Sequence, residues 1–293
     1  MKANLFVIGA SKCGTTSFYN ILRNHPEICM SSVKETLYFA LPDNKRKEVD
    51  YLSYYNGCDG KKIIGEVTPV YSELHVVPQV PRNIYKYNKN AKIVYLVRNP
   101  LDRITSVWKQ TLASGHWNRK VYMEKFGVDI PKMSLNFEEA IFDYPPFIEA
   151  CRYWMQIEGY RKYFPDNQIK VLFFEDLINA PYELFNSLWD FLGVSYFDVS
   201  NINKHFNKSS GKVMFKPNSK LLFLARAFRK FSRFTFVKRA RHLRSIVEKT
   251  FYRPVPNKLL FSENLKNRVL QILDDDIHSI CQYTNKRVDF WSF

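Results

Sequence analysis

The sequence has no apolar run near the ~20 residues that a bilayer-spanning helix requires, so no such helix is expected within its 293 residues. Cysteine is scarce. The five thiols, Cys13, Cys29, Cys58, Cys151 and Cys281, form no pair at a metal-ligand or dithiol-exchange spacing, and their number is odd. That scatter excludes a zinc-finger pattern and suits unpaired thiols in a reducing compartment, so a cytoplasmic location is expected. No secretory leader is read, because the first ten residues already show a strand pattern. The six histidines have no metal spacing. His25, before Pro26, is expected to close a helix and pack, while His75, His116 and His205 are the ones that could approach a cleft. No internal repeat and no low-complexity tract occur, so repeat architectures are excluded.

Acidic residues are in deficit. Lys and Arg number 44 against 28 Asp and Glu, a formal charge of +16. Such a field favours anionic ligands, acidic polymers or membrane headgroups and says nothing about fold. Residues 220–253 hold eleven Lys or Arg and one acid, Glu248, interleaved with Phe, Leu and Val. They read as a basic amphipathic helical segment within one large domain spanning 1–293.

The chain otherwise alternates short apolar runs with helical patterns. NLFVIGA, KKIIGEV, KIVYLVR and IKVLFF read as buried strands. TTSFYNILRNHP, the stretch opening at Pro100, residues 147–163 and PYELFNSLWDFLG read as helices, the last closed by Gly193. The fold class is therefore α/β: a three-layer α/β/α arrangement with a central parallel sheet. Ligands of such sheets lie beyond the carboxyl ends of the strands, where Gly9, Glu66 and Arg98 fall. Residues 114–136 are polar and irregular, a loop or lid.

Three motifs carry chemistry. In VIGASKCGTTS a strand meets a helix through Gly9, Lys12, Gly14, Thr15 and Thr16. A nucleoside-triphosphate loop places its Lys just after the second Gly. Here Lys12 comes two residues before it, inside the turn, beside the anion that the helix N-terminus attracts. The bland alternative is an exposed Lys in a structural turn. In SSVKETLYFA, Lys34 and Glu35 follow the first helix; taken alone, Glu35 reads as a surface carboxylate. In RNPLDRITS, Arg98 and Ser106 could hold a second phosphate through a guanidinium fork and a hydroxyl, although Arg103 could equally pair with Asp102.

In order along the chain, KxGTT, HP, KETLYF, GEVTPVY, LVRNPLDRITS, VLFFEDL and DFLG resemble the sulfotransferases that use 3′-phosphoadenosine 5′-phosphosulfate. The bacterial and heparan-modifying branch is the most similar, because it carries Glu after the first helix where cytosolic small-molecule members use His. The resemblance implies that Lys12, Cys13, Gly14, Thr15, Thr16 and Ser17 bind the 5′-phosphosulfate, with Lys12 assisting the leaving group. It implies that Arg98 and Ser106 bind the 3′-phosphate, and that Ser209, Gly211 and Lys212 of NKSSGK close over the nucleotide. Glu35 becomes the general base on an acceptor hydroxyl. No metal is required, and the product is adenosine 3′,5′-bisphosphate. The acceptor is expected on a glycan or glycolipid, with a peripheral membrane or polyanion contact through 220–253 and no nucleic-acid partner. Heparan-modifying members often carry Lys after the Glu of the EVTP-like motif. Here that residue is Val67, which leaves Lys34 as the candidate for the missing charge.

Two rivals differ in class. A nucleotide kinase or hydrolase would need an acid to hold Mg²⁺, for which Glu175 and Asp176 offer themselves, although they read more simply as a helix-start cluster. A non-enzymatic binder of nucleic acid or membrane would rest on 220–253. Cys13 as a nucleophile lacks any base positioned by sequence.

Overall fold

A computed structural model describes residues 2–47, 49–114, 122–131, 133–134, 136–144, 146–199, 213–215, 252–254 and 261–293. The run that opens the chain is β1 (Leu5–Gly9), buried at every position. It turns through 10–14 into α1 (Thr15–Asn24), which His25 closes, its N–H donating to the Leu22 carbonyl. There follow β2 (Ile28–Met30), α2 (Asp43–Lys47), β3 (Ile63–Val67), α3 (Val80–Tyr87), β4 (Lys92–Val97) and α4 (Pro100–Ser114). The second half supplies α5 (Phe137–Asp143), α6 (Tyr153–Arg161), β5 (Ile169–Phe173), α7 (Phe174–Asn179) and α8 (Pro181–Leu192). β6 (Val213–Phe215), β7 (Tyr252–Pro254) and α9 (Glu263–Tyr283) complete the elements among the described residues.

Five strands form one parallel sheet in the order β2-β3-β1-β4-β5. Such a sheet buries both faces, which is why β1, β3 and β4 are near-continuous apolar runs. On one side α1 and α8 pack together, with Phe18 stacked on Phe185 at 5.7 Å and His25 against Trp189 at 4.7 Å. On the other, Phe6 meets Tyr87 of α3 and Tyr95 meets Tyr153 of α6. Phe6 pairs in register with Ile93, two residues before Tyr95, so both rings leave the same face of the sheet. The result is the expected α/β/α sandwich, with β1 central and its carboxyl end between those of β3 and β4.

The structure departs from expectation at several points. Residues 147–163 are not one helix: a 3₁₀ turn, Glu149–Cys151, precedes α6, and Arg152 between them is non-helical at φ −76°, ψ 72°. The restart has a tertiary cause. The Asp276 carboxylate on α9 accepts the N–H groups of Trp154 and Met155 at 2.9 and 3.0 Å, capping α6 from a distant part of the chain. Strand β2 is too short to announce itself. Finally, the cysteines are not all unpaired: Cys29 and Cys58 form a disulfide with Cα atoms 5.5 Å apart. Their 29-residue separation carries no recognisable spacing; Cys29 lies in β2 and Cys58 in the loop that leads into β3. Cys13, Cys151 and Cys281 are free and buried.

A crosslink over that separation is expected to contribute about 3–4 kcal/mol by restricting the unfolded chain. Reduction, or Cys29→Ser, should then lower the thermal midpoint by roughly 5–10 °C. A scanning calorimetry trace unmoved by reductant would dismiss the crosslink as a source of stability.

Residues 252 and 253, the end of the basic segment, lie in β7, which pairs antiparallel with β6 rather than continuing a helix. The rest of 220–253, along with Ser209, Gly211, Lys212, His116 and His205, lies outside the described residues. Among the described residues, no helix is long and apolar enough to cross a membrane.

Candidate active site

The turn after β1 is built from backbone. Ala10 N–H donates to the Leu96 carbonyl at 2.6 Å and Cys13 N–H to the Ala10 carbonyl at 3.2 Å. Lys12 and Gly14 both adopt left-handed conformations, at φ 72° and 81°. Gly14 is the N-cap of α1, and a Cβ there would stand 2.9 Å from the Phe174 ring, so both backbone and space require glycine. The first turn of α1 holds no acidic residue, which leaves its positive end for an exogenous anion.

Lys12, Gly14, Thr15, Thr16, Ser17, Arg98, Ser106 and Phe174 line one pocket of about 90 Å³. Two cations, four hydroxyls and an aromatic ring converge there without a carboxylate, a donor set that fits phosphate or sulfate oxygens. Sequence-expected residues some 80 positions apart meet because β4 is hydrogen-bonded to β1. The Arg98 guanidinium reaches the Lys12 carbonyl at 3.4 Å, pairs with Asp102 at 3.1 Å and lies 4.6 Å from the Phe174 ring centroid. Arg98 is thereby held in place on three sides.

Cys13 does not line the pocket. Its side chain is fully buried and burial pushes the thiol up to about 12, which disposes of the nucleophile reading and leaves only its backbone for an anion. Arg103 does not pair with Asp102 either. It is 1% exposed beneath the turn, donating to the Ser11 carbonyl at 3.0 Å and to the Cys151 sulfur at 3.3 Å. A buried guanidinium therefore braces the turn from behind, a role the sequence pattern did not reveal.

The acids proposed for Mg²⁺ are occupied. Glu175 accepts the Asn99 N–H at 2.9 Å and the Trp291 indole N–H at 3.1 Å, and Asp176 pairs with Lys286 at 2.8 Å. Asn99 also donates to the Trp291 carbonyl at 2.9 Å. The C-terminal tail thus locks the Asn-Pro entry to α4, the helix that presents Ser106. No cluster of metal-ligating residues occurs among the described residues.

Glu35 stands apart from the pocket, on the segment that follows β2. Its N–H donates to the Val67 carbonyl at 3.0 Å, its side chain is half exposed, and it pairs with Lys34. Since β3 adjoins β1, this carboxylate and the Lys12 turn occupy neighbouring strand ends. Lys34 consequently supplies its charge to Glu35. Beneath this segment, Glu66 is fully buried, accepts the Thr36 hydroxyl, and is pushed up to about 7 by burial. Glu73 is also buried and raised, chiefly by desolvation, and accepts the Tyr122 hydroxyl. Burial drives His75 down to about 4, so its ring is neutral at physiological pH.

The family model described as a sulfotransferase domain matches residues 2–220. Heparan sulfate glucosamine 3-O-sulfotransferase 5 of Mus musculus is 26% identical over 208 residues, covering 70% of this chain and 57% of that protein. The membrane-associated sulfotransferase kil1 of Dictyostelium discoideum is 28% identical over 162 residues, 55% of this chain and 31% of that one. The chain therefore spans little more than half the length of the first of these relatives and about a third of the second. A crystal structure of a sulfotransferase from Alicyclobacillus acidocaldarius superposes over 100% of both chains with a TM-score of 0.61 at 20% identity, a likeness of fold.

Proposed function

This chain belongs to the sulfotransferase family, and from that premise we propose that it transfers a sulfuryl group from 3′-phosphoadenosine 5′-phosphosulfate to a carbohydrate hydroxyl. The observation that carries the reading is the acid-free pocket at the β1–α1 turn, where Lys12, Arg98 and Ser106 converge. The bound donor would present a sulfuryl group on a good leaving group, adenosine 3′,5′-bisphosphate.

The protein's own groups divide the work. Thr15, Thr16, Ser17 and the α1 N-terminus hold the 5′ anion, while Arg98 and Ser106 hold the 3′-phosphate that distinguishes this nucleotide from ATP. The Lys12 ammonium stabilises negative charge that builds on the departing oxygen, an interaction that strengthens toward the transition state. Glu35 takes the proton from the attacking hydroxyl. Positioning and charge stabilisation dominate such transfers, as in phosphoryl transfer. A glycan acceptor accords with the heparan sulfate relatives. The ten excess positive charges of 220–253 suit contact with an anionic glycan or headgroup.

Calorimetry tests the cofactor. Adenosine 3′,5′-bisphosphate should bind tightly in EDTA and magnesium-ATP should not; the reverse result would return the chain to the kinase reading. Arg98→Ala is expected to weaken the bisphosphate by about 10- to 100-fold, the loss of a charge-assisted contact. Binding of adenosine 5′-phosphosulfate, which lacks the 3′-phosphate, should change little. Equal losses for both nucleotides would remove the 3′ assignment. Transfer of labelled sulfate to a panel of glycans, with mapping of the modified oxygen, then identifies the acceptor.

A further inference from the structure

The segment that carries Glu35 is bent in an unusual way. Glu35 and Leu37 both lie in the left-handed region, at φ 65° and 62°, and neither is glycine. Such residues persist only where the surroundings fix them. The groups that hold Glu35, Thr36 and the Phe39 N–H come from the carboxyl end of β3 and the 3₁₀ turn Pro69–Ser72 that follows it, while Asn83 of α3 donates to the Phe39 carbonyl at 3.0 Å. Val67 accepts the Glu35 N–H at 3.0 Å. The Tyr71 hydroxyl accepts the Phe39 N–H at 3.1 Å and lies 3.3 Å from the Thr36 hydroxyl. Thr36 in turn donates to Oε2 of Glu66 and accepts the Tyr38 N–H at 3.3 Å. Glu66 is 0% exposed, and its Oε1 is buried with no hydrogen-bond partner among the described residues. A carboxylate is expensive at such a position. A glutamine would accept the same hydroxyl only as a neutral and weaker partner.

We propose that Glu66 is a positioning residue for sulfuryl transfer: its carboxylate grips Thr36 and, with Tyr71, holds residues 35–39 in the strained turn that aims Glu35 at the acceptor. The inference rests on Glu35 acting as the base. Glu66 itself touches neither donor nor acceptor; it acts through Thr36.

Ionisation of Glu66 makes this arrangement sensitive to pH. The groups facing it are Tyr51 and Tyr55 from the turn Tyr51–Tyr55, Tyr71, Tyr87 of α3 and Tyr160 of α6, all of them neutral phenols held at or above their ordinary range. Burial raises the carboxyl from 4.5 to about 7, opposed by the hydroxyls of Thr36, Tyr71 and Tyr51. In that window the native state keeps a proton that the unfolded chain has lost. The stability contributed by this group therefore falls as pH rises from 4.5 toward 7. The gripping, ionised form gains over the same rise, so turnover should climb through neutrality while stability declines.

The test compares the full chain with Glu66→Gln and Thr36→Val, the latter removing one hydroxyl at constant shape. Both variants should exchange the Glu35 and Phe39 amide hydrogens about tenfold faster, because those bonds lose their anchor. With the phosphosulfate donor and a glucosamine-containing oligosaccharide, kcat at pH 8 should fall about 10- to 100-fold, the cost of a misaimed group. The rise of kcat through neutral pH should flatten in both. Affinity for adenosine 3′,5′-bisphosphate should stay within about twofold, since no contact to the pocket changes. Wild-type exchange rates together with a wild-type pH profile in both variants would overturn the proposal. If Glu66→Gln fails to fold, Thr36→Val decides alone. Failure of the underlying reading looks different: Glu35→Gln would keep full turnover, or the wild type would not bind the bisphosphate, while amide exchange in 35–39 still responded to Glu66.

Discussion

Lys12→Ala is expected to lower kcat by about 10²- to 10³-fold, the size of effect seen when one preorganised donor to a developing negative charge is removed. Affinity for adenosine 3′,5′-bisphosphate should drop far less, because Arg98, Ser106 and the α1 N-terminus remain in the pocket. The substitution is a clean one. Lys12 already holds φ 72°, and alanine inherits the same backbone strain, so the loss reports the ammonium rather than a refolded turn. Lys12→Arg should recover part of the rate, since the charge returns in a different shape. Single-turnover measurements with labelled donor separate the two parameters. A fall in nucleotide affinity with kcat unchanged would make Lys12 a binding group only.

Glu35→Gln is expected to cost about 10²- to 10⁴-fold in kcat, the usual weight of a positioned general base. Nucleotide affinity should be unchanged, because Glu35 does not line the pocket that holds Lys12 and Arg98. Glutamine keeps the length of the side chain and its left-handed backbone but cannot take a proton. It also releases Lys34, whose charge Glu35 pairs in this structure; Lys34→Ala therefore serves as the control for the ion pair alone. Full activity in Glu35→Gln would move the base elsewhere. Glu73 would then be the next group to examine: it is buried, raised, and close enough for the Glu35 charge to act on it.

The two halves of the site differ in how far they could be read from the chain. The phosphate turn was local: strand, Gly9, Lys12, Gly14, hydroxyls and helix follow one another within a dozen residues, so order and spacing carried the chemistry. Arg98 at a strand end and Ser106 on the helix after it were readable as a phosphate-holding pair but not as neighbours of Lys12. The proposed base was harder. Glu35 by itself is an exposed acid beside a lysine, and only the family resemblance raised it above its surroundings. The supports of the site were not legible at all. Arg103 under the turn, Glu66 under Thr36, and Glu175 bridging Asn99 to Trp291 each act through a partner 30 to 116 positions away. The Cys29–Cys58 disulfide escaped for the same reason, and so did the interruption before α6, which an aspartate on the last helix imposes.

What the sequence determined alone was periodicity and local chemistry: buried parallel strands alternating with helices, a glycine turn with its lysine displaced from the triphosphate position, and an excess of positive charge suited to anionic substrates. Those follow from backbone sterics, side-chain period and composition, which are properties of neighbouring residues. The tertiary structure alone decided which strand ends lie side by side, and with that which cations meet in one pocket, which carboxylate stays in water and which is buried beneath it. Hydrogen bonding between strands joins residues without regard to their distance along the chain, and burial acts only once that joining has excluded water.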